Sequence, residues 1–349
     1  MMKKKRTLEN VSKYALTKEG EVFYLIQKKL VLNDKLFQVL DDNFGQPYSV
    51  GDYLIWQNYQ GVFEVYDKSG FFRGKREGYI NYLNNYDQIY FFDKKKNTEA
   101  IFFEDGMDKY LDFEQNGYIF FDKYIIVKNK SELIASELNS TCSIWQYTLP
   151  KEYSWAPSST SQETRPATIA QIVGVYKDTL WLVVICDDIM LLGLDLQTGR
   201  ERYHITEPVK YPTTWSEEER KRKRPFGNGT QIDAQSGILF GGFNHYYGEV
   251  ELEAAEPAYH LYDIQESTEL HGLRMNQFGA WEGDNIYFWE GANNNRFGIF
   301  SRKEKAVIWS GQIEEAQNTM PAIRQLDFSD GKLYVLDHHF TLHIFEQEF

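Results

Sequence analysis

The sequence predicts an all-β protein built from one recurring antiparallel unit, and three observations carry that prediction. Tyr and Phe number 24 each and aromatic residues make up 16% of the chain, a load that suits pleated, half-buried surfaces better than helices. Short apolar runs bounded by Gly, Asp or Asn recur along the whole length, as strands punctuated by turns do. The clearest example is Lys177 to Tyr203. There a polar turn leads into Leu180, Trp181, Leu182, Val183 and Val184, a second turn falls at Asp187-Asp188, and another apolar strand ends in Asp195-Leu196-Gln197-Thr198-Gly199.

In chain order, the first strand of that hairpin has copies at Gly51 to Trp56, Asp87 to Phe92 and Asn116 to Phe121, then at Leu180 itself, Ser236 to Phe240, Gly283 to Phe288 and Asp330 to Val335. Their anchors (Leu54, Ile89, Ile119, Leu180, Ile238, Ile286 and Leu333) stand on average about 45 residues apart, the length of a four-stranded propeller blade. Following strands are expected at Val62 to Gly70, Ser143 to Tyr147, Tyr259 to Ile264 and Phe297 to Phe300. With each copy as an innermost strand, the expectation is a seven-bladed β-propeller of four-stranded antiparallel blades, a single domain over residues 1–349. The last copy lacks strands, so Val22 to Ile26 or Leu36 to Leu40 is expected to complete it and close the ring, covering an edge otherwise open to pairing. Eight blades is the alternative, if this N-terminal segment is itself a unit.

The endings Tyr66-Asp67-Lys68-Ser69-Gly70 and Asp195-Leu196-Gln197-Thr198-Gly199 resemble the blade endings of quinoprotein-type and WD-repeat-type β-propellers. The resemblance spans nearly the whole chain and implies the fold alone, because propellers carry many unrelated functions. The adjacent cysteines of the quinone-binding enzymes, the Ser-x-Asp-x-Gly boxes of sialidases and the Gly-His to Trp-Asp signature of WD repeats are absent from the sequence.

The formal charge of −13 argues against nucleic acid as the main partner, which requires a basic footprint, and favours a basic protein. Cys142 and Cys186 are the two cysteines; both sit in apolar runs and are expected to be buried thiols, not a disulfide framework. MMKKKRTLENVSKY has no apolar stretch behind its basic start, so no secretory signal is expected. No run of eighteen apolar residues suggests a membrane span, and a cytoplasmic location is the expectation. His339 and His343 have metal-ligand spacing only on a helix, whereas a strand is expected there. GxSxG and GxxxxGK[ST] are both missing, which leaves nucleophile-elbow and P-loop chemistry without support. No cofactor, metal or catalytic residue is assigned.

Four long excursions remain: Pro150 to Pro166, Thr206 to Gly229, Gly241 to Pro257 and Glu290 to Arg296. Alternation of the chain between the two faces of a blade puts all four on one face of blades four to seven. Loops of this length inside a compact domain are commonly functional. They carry Tyr153, Trp155 and Arg165; Tyr211 and Trp215; His245, Tyr246 and Tyr247; and Asn293, Asn294, Asn295 and Arg296. Aromatic residues and Arg dominate interface energetics, so these residues, the asparagines apart, are the candidate partner-binding set. Thr214 to Arg224 reads as a short helix with acids in its first turn and bases in its last, ended by Pro225. The expected function is protein binding without catalysis by a chain monomeric in the absence of its partner, in its sharpest form an immunity-type inhibitor of a basic toxin. The alternative is a hydrolase, lyase or sensor acting on a glycan or small ligand at the central channel.

Overall fold

The run that reads as continuously apolar, Thr179–Ile185, is a strand buried on both faces. Successive side chains of a strand point to opposite sides: Leu180, Leu182 and Val184 enter one core while Trp181 and Val183 enter another. A strand covered on both sides has no solvent face to populate with polar residues, which is why the alternation is missing from the sequence. This computed structural model describes residues 2–40, 45–80, 89–111, 118–121, 124–137, 143–155, 163–186, 189–206, 208–210, 226–227, 229–291, 294–314 and 322–347.

In chain order, Met2–Leu8 (β1) is followed by Val11–Leu16 (β2), Val22–Ile26 (β3), Lys29–Leu32 (β4) and Lys35–Val39 (β5), the last four forming one sheet in that sequence. Gly45–Val50 (β6), Tyr53–Asn58 (β7), Val62–Asp67 (β8), Phe72–Ile80 (β9), Tyr90–Asp93 (β10), Thr98–Ile101 (β11) and Lys109–Leu111 (β12) form a continuous sheet. In it β9 serves twice, pairing with β8 through Phe72 to Glu77 and with β10 through Gly78 to Ile80. At the changeover Gly78 leaves room for the Phe92 carbonyl, which would lie 2.2 Å from any Cβ placed there.

Tyr118–Phe121 (β13), Tyr124–Asn129 (β14), Glu132–Glu137 (β15) and Ser143–Thr148 (β16) make the next sheet. Ser154–Trp155 (β17) and Arg165–Pro166 (β18) pair as a small ribbon, and Thr168–Tyr176 (β19), Thr179–Ile185 (β20), Ile189–Asp195 (β21) and Glu201–Ile205 (β22) follow as a sheet. Pro208–Lys210 (β23), Gln231–Asp233 (β24), Ile238–Phe243 (β25), Tyr246–Glu251 (β26) and Tyr259–Asp263 (β27) form a five-stranded sheet in which β23 lies parallel to β27. After the short helix Gln265–Leu270 (α1), Gln277–Glu282 (β28), Asn285–Trp289 (β29), Arg296–Ser301 (β30) and Ala306–Gln312 (β31) make another sheet. Ile323–Ser329 (β32), Lys332–Asp337 (β33) and Leu342–Gln347 (β34) end the chain, and β1 pairs antiparallel with β34. The chain divides into two compact units, Met1–Glu114, Gly279–Ile299 and Trp309–Phe349 in one and Gln115–Phe278 and Phe300–Ile308 in the other.

Three expectations are corrected here. Five of the copies found in the sequence are second strands of their sheets, so the repeat begins one strand earlier than the motif suggests, at β6, β19, β24, β28 and β32; the Asp87 copy is β10, inside the seven-stranded sheet, and the Asn116 copy is a first strand. The segments Val22–Ile26 and Lys35–Val39 belong to their own sheet, and the strand completing the last one is Met2–Leu8. Residues 241–257 are mostly not an open excursion, because β25 and β26 pair directly from Ile238↔Glu251 to Phe243↔Tyr246 around a turn with Asn244 at φ 55°. The expected helix at 214–224, Cys142, Asp187-Asp188 and Asn293 lie outside the described residues; Cys186 is buried.

Within the first unit the two-sided pattern of β20 recurs in other second strands. Val22 and Tyr24 of β3 pack with Tyr334 and Leu336 of β33, while Phe23 and Leu25 pack with Leu54 and Trp56 of β7. Leu333 and Val335 enter a third core with Tyr287, Phe297 and Phe345. Consecutive sheets are thus held face to face by alternate residues of a single strand.

The strand-ending Asp is an Asx turn with a cross-strand counter-charge. Asp195 Oδ1 accepts from the N–H groups of Gln197 (3.0 Å) and Thr198 (2.7 Å) and from the Thr198 hydroxyl (2.8 Å). Arg202, the extra residue of a bulge in β22, reaches Oδ2. Asp67 does the same with the Ser69 and Phe71 N–H groups at 2.9 and 3.0 Å and with Arg73, the bulge residue of β9, at 2.7 Å. Its carboxyl is held down at about 2, by the Ser69 hydroxyl first and then by Arg73. At the end of β33, Asp337 accepts from the His339 and Thr341 N–H groups at 2.8 and 2.9 Å and from His343 Nε2 at 2.9 Å.

These turns set an acid limit on stability. Burial works against the charge of Asp337 and Asp195, yet the hydrogen bonds they accept, with His343 beside Asp337 and Arg202 beside Asp195, outweigh it and leave both carboxyls below their ordinary value. A depressed carboxyl contributes stability that is complete above its unfolded pKa, about 3.9, and is lost as pH falls through its folded pKa. Chemical denaturation between pH 7 and pH 2 is expected to show a flat plateau and then a decline below about pH 4, and Asp337→Asn should reduce that decline.

Candidate protein-interaction surface

The structure separates the residues singled out in the sequence. Tyr153, Trp155 and Arg165 come together at the ribbon between β16 and β19. Trp155 pairs with Arg165 across β17 and β18, and the guanidinium lies 5.7 Å from the indole ring centre, a cation–π arrangement. The Tyr153 hydroxyl sits 3.1 Å from His204 Nδ1, with the two rings edge to face at 5.3 Å. Beside them Tyr147 donates to Glu201 at 2.5 Å. Burial, then the charges of Glu201 and Glu152, pushes the Tyr153 phenol up, so at neutral pH it stands as a hydrogen-bonding hydroxyl.

The other candidates do not join this group. Tyr246 and Tyr247 are buried; Tyr246 belongs to the core that contains Trp181, and Tyr247 packs 4.7 Å from Phe300 and donates to Glu249 at 2.7 Å. Both are removed from the surface set, because a partner cannot reach a side chain occupied in the core. His245 is half-buried, with Nδ1 2.5 Å from the Thr268 hydroxyl. Arg296 starts β30 in the first unit. Tyr211 and Trp215 lie outside the described residues.

A surface that the sequence reading missed occurs in the first unit, on β5 and at the start of β9, with Phe71 just before that strand. Leu36 and Val39 are each 60% exposed, Phe71 is 71% exposed and Phe72 57%. Beneath them the two segments are joined by a chain of rings through buried Tyr66: Phe37 lies 5.5 Å from Tyr66, and Tyr66 lies 5.8 Å from Phe72. Phe37 is the extra residue of a bulge, since β4 pairs Leu30 with Gln38 and then Val31 with Leu36. A bulge bends its strand and re-aims a side chain; here it brings Phe37 against Gly70 and Tyr66. Nearby cations already have carboxylates, Arg73 with Asp67 and Glu104, Lys75 with Glu64, and Arg76 with Asp108. The exposed ones among these pairs, those of Arg73 and Lys75, contribute little to stability. What the surface leaves uncompensated is its apolar area.

Among the described residues no group of three or more His, Cys, Asp or Glu is placed to hold a metal ion, and none of the described helices is long and apolar enough to cross a membrane.

Three solved structures share this arrangement of sheets. The C-terminal WD40 domain of Sif2 aligns over 100% of this chain and 99% of its own at 10% identity, with a TM-score of 0.59. Sqt1 of Saccharomyces cerevisiae aligns over 100% and 98% at 8% identity, TM-score 0.56. BamB of Moraxella catarrhalis aligns over 100% and 98% at 11% identity, TM-score 0.51. The fold is a WD-repeat-like β-propeller. No family model matches the sequence, and no curated protein does. At such identities the likeness concerns the fold alone. A propeller explains the packing found here, since radial sheets cover each other's faces and leave only short edges.

Proposed function

We propose that this propeller acts by binding another protein, one whose contact face is apolar and ringed by Lys and Arg. The observation that carries the proposal is the exposed set of Leu36 and Val39 on β5, Phe71 just before β9 and Phe72 at its start. Large apolar side chains left exposed on segments that pack against each other through Phe37, Tyr66 and Phe72 mark a candidate interaction site. The formal charge of −13 selects a basic partner and would raise its association rate. An immunity-type inhibitor of a basic toxin is the sharpest form of this reading, resting on the charge alone.

This reading treats the chain as one propeller of eight blades, the alternative left open by the sequence. Support comes from β2 to β5 standing as a sheet of their own and from β9 being shared between β8 and β10. The pairing of β1 with β34 supports closure of the ring by the N-terminal strand.

The test is capture of the partner from the source cell by tagged chain, compared with Leu36→Glu/Phe72→Glu. Surface substitutions of this kind change stability by within about 0.5 kcal/mol, so the variant remains folded. The expected result is a stoichiometric basic protein whose recovery falls about tenfold or more in the variant and whose capture weakens with salt. Recovery undiminished by the substitutions would overturn the assignment of this surface.

A further inference from the structure

Lys13 and Arg324 stand on the first strands of neighbouring sheets in the first unit, joined one residue further along by Gln325 Nε2 donating to the Tyr14 carbonyl at 3.3 Å, and among the described residues no carboxylate pairs with either cation. Lys13 of β2 donates from Nζ to Gln46 Oε1 of β6 at 2.5 Å. Arg324 of β32 places its guanidinium 4.9 Å from the ring centre of Phe340. Lys13 is held below its ordinary pKa, by burial first and by the charge of Arg324 second. The carboxylates of Asp327 on β32 and Asp337 on β33 are engaged elsewhere. Asp327 accepts from Gln325 at 2.8 Å, and Asp337 holds the His339 and Thr341 N–H groups and His343. In a chain with 51 acidic residues against 38 basic ones, a like-charge pair left without a counter-ion is the reverse of what solubility or stability would select.

Three backbone irregularities converge on the same place. Arg324 is the extra residue of a bulge, since β33 pairs with Ile323 and then Gln325. Ser12, just before Lys13, is the extra residue of another, since β3 pairs with Val11 and then Lys13. Phe340 occupies the left-handed region at φ 62°, where a bulky residue is strained, and its carbonyl is tied to Val11 N–H at 2.7 Å. Bulges and strained residues are retained where they aim side chains at a site. Here they set the Arg324 guanidinium on the Phe340 face and bring Lys13 beside it.

We infer that Lys13 and Arg324, with Phe340 orienting the arginine, form a binding site for a small oxyanion, a carboxylate or phosphate group. The guanidinium offers paired N–H donors and the ammonium a point charge, the combination suited to such an anion. Bound anion would relieve the repulsion between the two cations. Phe340 is a positioning residue and makes no contact with the anion itself.

The probes are inorganic phosphate and, separately, succinate, each at constant ionic strength, with the thermal midpoint of the full chain as readout. Wild type is expected to show a saturable rise with at least one probe, and which one responds distinguishes the phosphate source from the carboxylate source. Lys13→Met and Arg324→Gln should each weaken the response about tenfold or more, while Arg324→Gln without anion should be at least as stable as wild type because a like-charge contact is gone. Phe340→Gly, at a position whose φ suits glycine, should remain folded and lose the response. No saturable rise with either probe, or a rise undiminished in the Lys13→Met/Arg324→Gln double variant, would overturn the inference.

Discussion

Asp233→Ala is expected to destabilise the protein by about 3 to 5 kcal/mol, the range for removing one partner of a buried ion pair. Asp233 ends β24 with its side chain 8% exposed, and Arg302 beyond β30 is 4% exposed, with Nη2 donating to Asp233 Oδ2 at 2.8 Å. The carboxylate also accepts from the Gln235 and Ser236 N–H groups at 3.0 and 3.2 Å and from the Ser236 hydroxyl at 2.5 Å. Burial opposes its charge, but these bonds and Arg302 prevail and keep the carboxyl below its usual range. The Arg302 guanidinium lies 4.6 Å from the Phe240 ring centre, so loss of Asp233 strands a cation against an aromatic wall. Urea denaturation of Asp233→Ala, Arg302→Met and the double variant separates pair from parts. The double variant should lose less than the sum of the singles, because an apolar replacement of both partners leaves no charge buried.

Trp181→Ala is expected to cost about 3 to 5 kcal/mol, the usual toll of truncating a buried Trp. Trp181 is fully buried in β20 and stacks on Tyr203 with ring centres 5.4 Å apart and planes 9° apart. Its neighbours Val183, Leu191 and Leu239 belong to the same core. Truncation removes aromatic area and leaves a cavity that a rigid sheet refills poorly. Trp155→Ala, at a half-exposed position on the small ribbon, should change stability by less than about 1 kcal/mol. Equilibrium unfolding of the two variants side by side checks both values.

The strands with two buried faces were legible because nothing interrupts their apolar run, as at Leu180 to Val184 or Leu333 to Leu336. The Asp endings were legible for a local reason, since an Asx turn needs its residues adjacent. The phase of the repeat was not. First strands such as Gln277–Glu282 are only half-buried along most of their length, so they lack a distinctive run. Met2–Leu8 carries three lysines and an arginine and reads as a solvated start, yet charged side chains are how an edge strand is protected from unwanted pairing. The β25–β26 hairpin was concealed by its glycines; at Gly242 a Cβ would stand 2.9 Å from Met275 and 3.1 Å from Phe278. At the candidate surfaces the difficulty was different in kind. Leu36, Phe71 and Phe72 look like core residues until burial is known. Lys13 and Arg324 are brought together only by the pairing of the chain's two ends, which no local pattern announces.

The interaction surface on β5 and β9 is the central claim, and hydrogen exchange on the chain alone and with its captured partner tests it most directly. Slowed exchange in peptides covering residues 35–39 and 71–76, absent when Leu36→Glu/Phe72→Glu is mixed with the same partner, is the expected result. Unchanged exchange in both peptides, with protection appearing elsewhere on the chain, would contradict it.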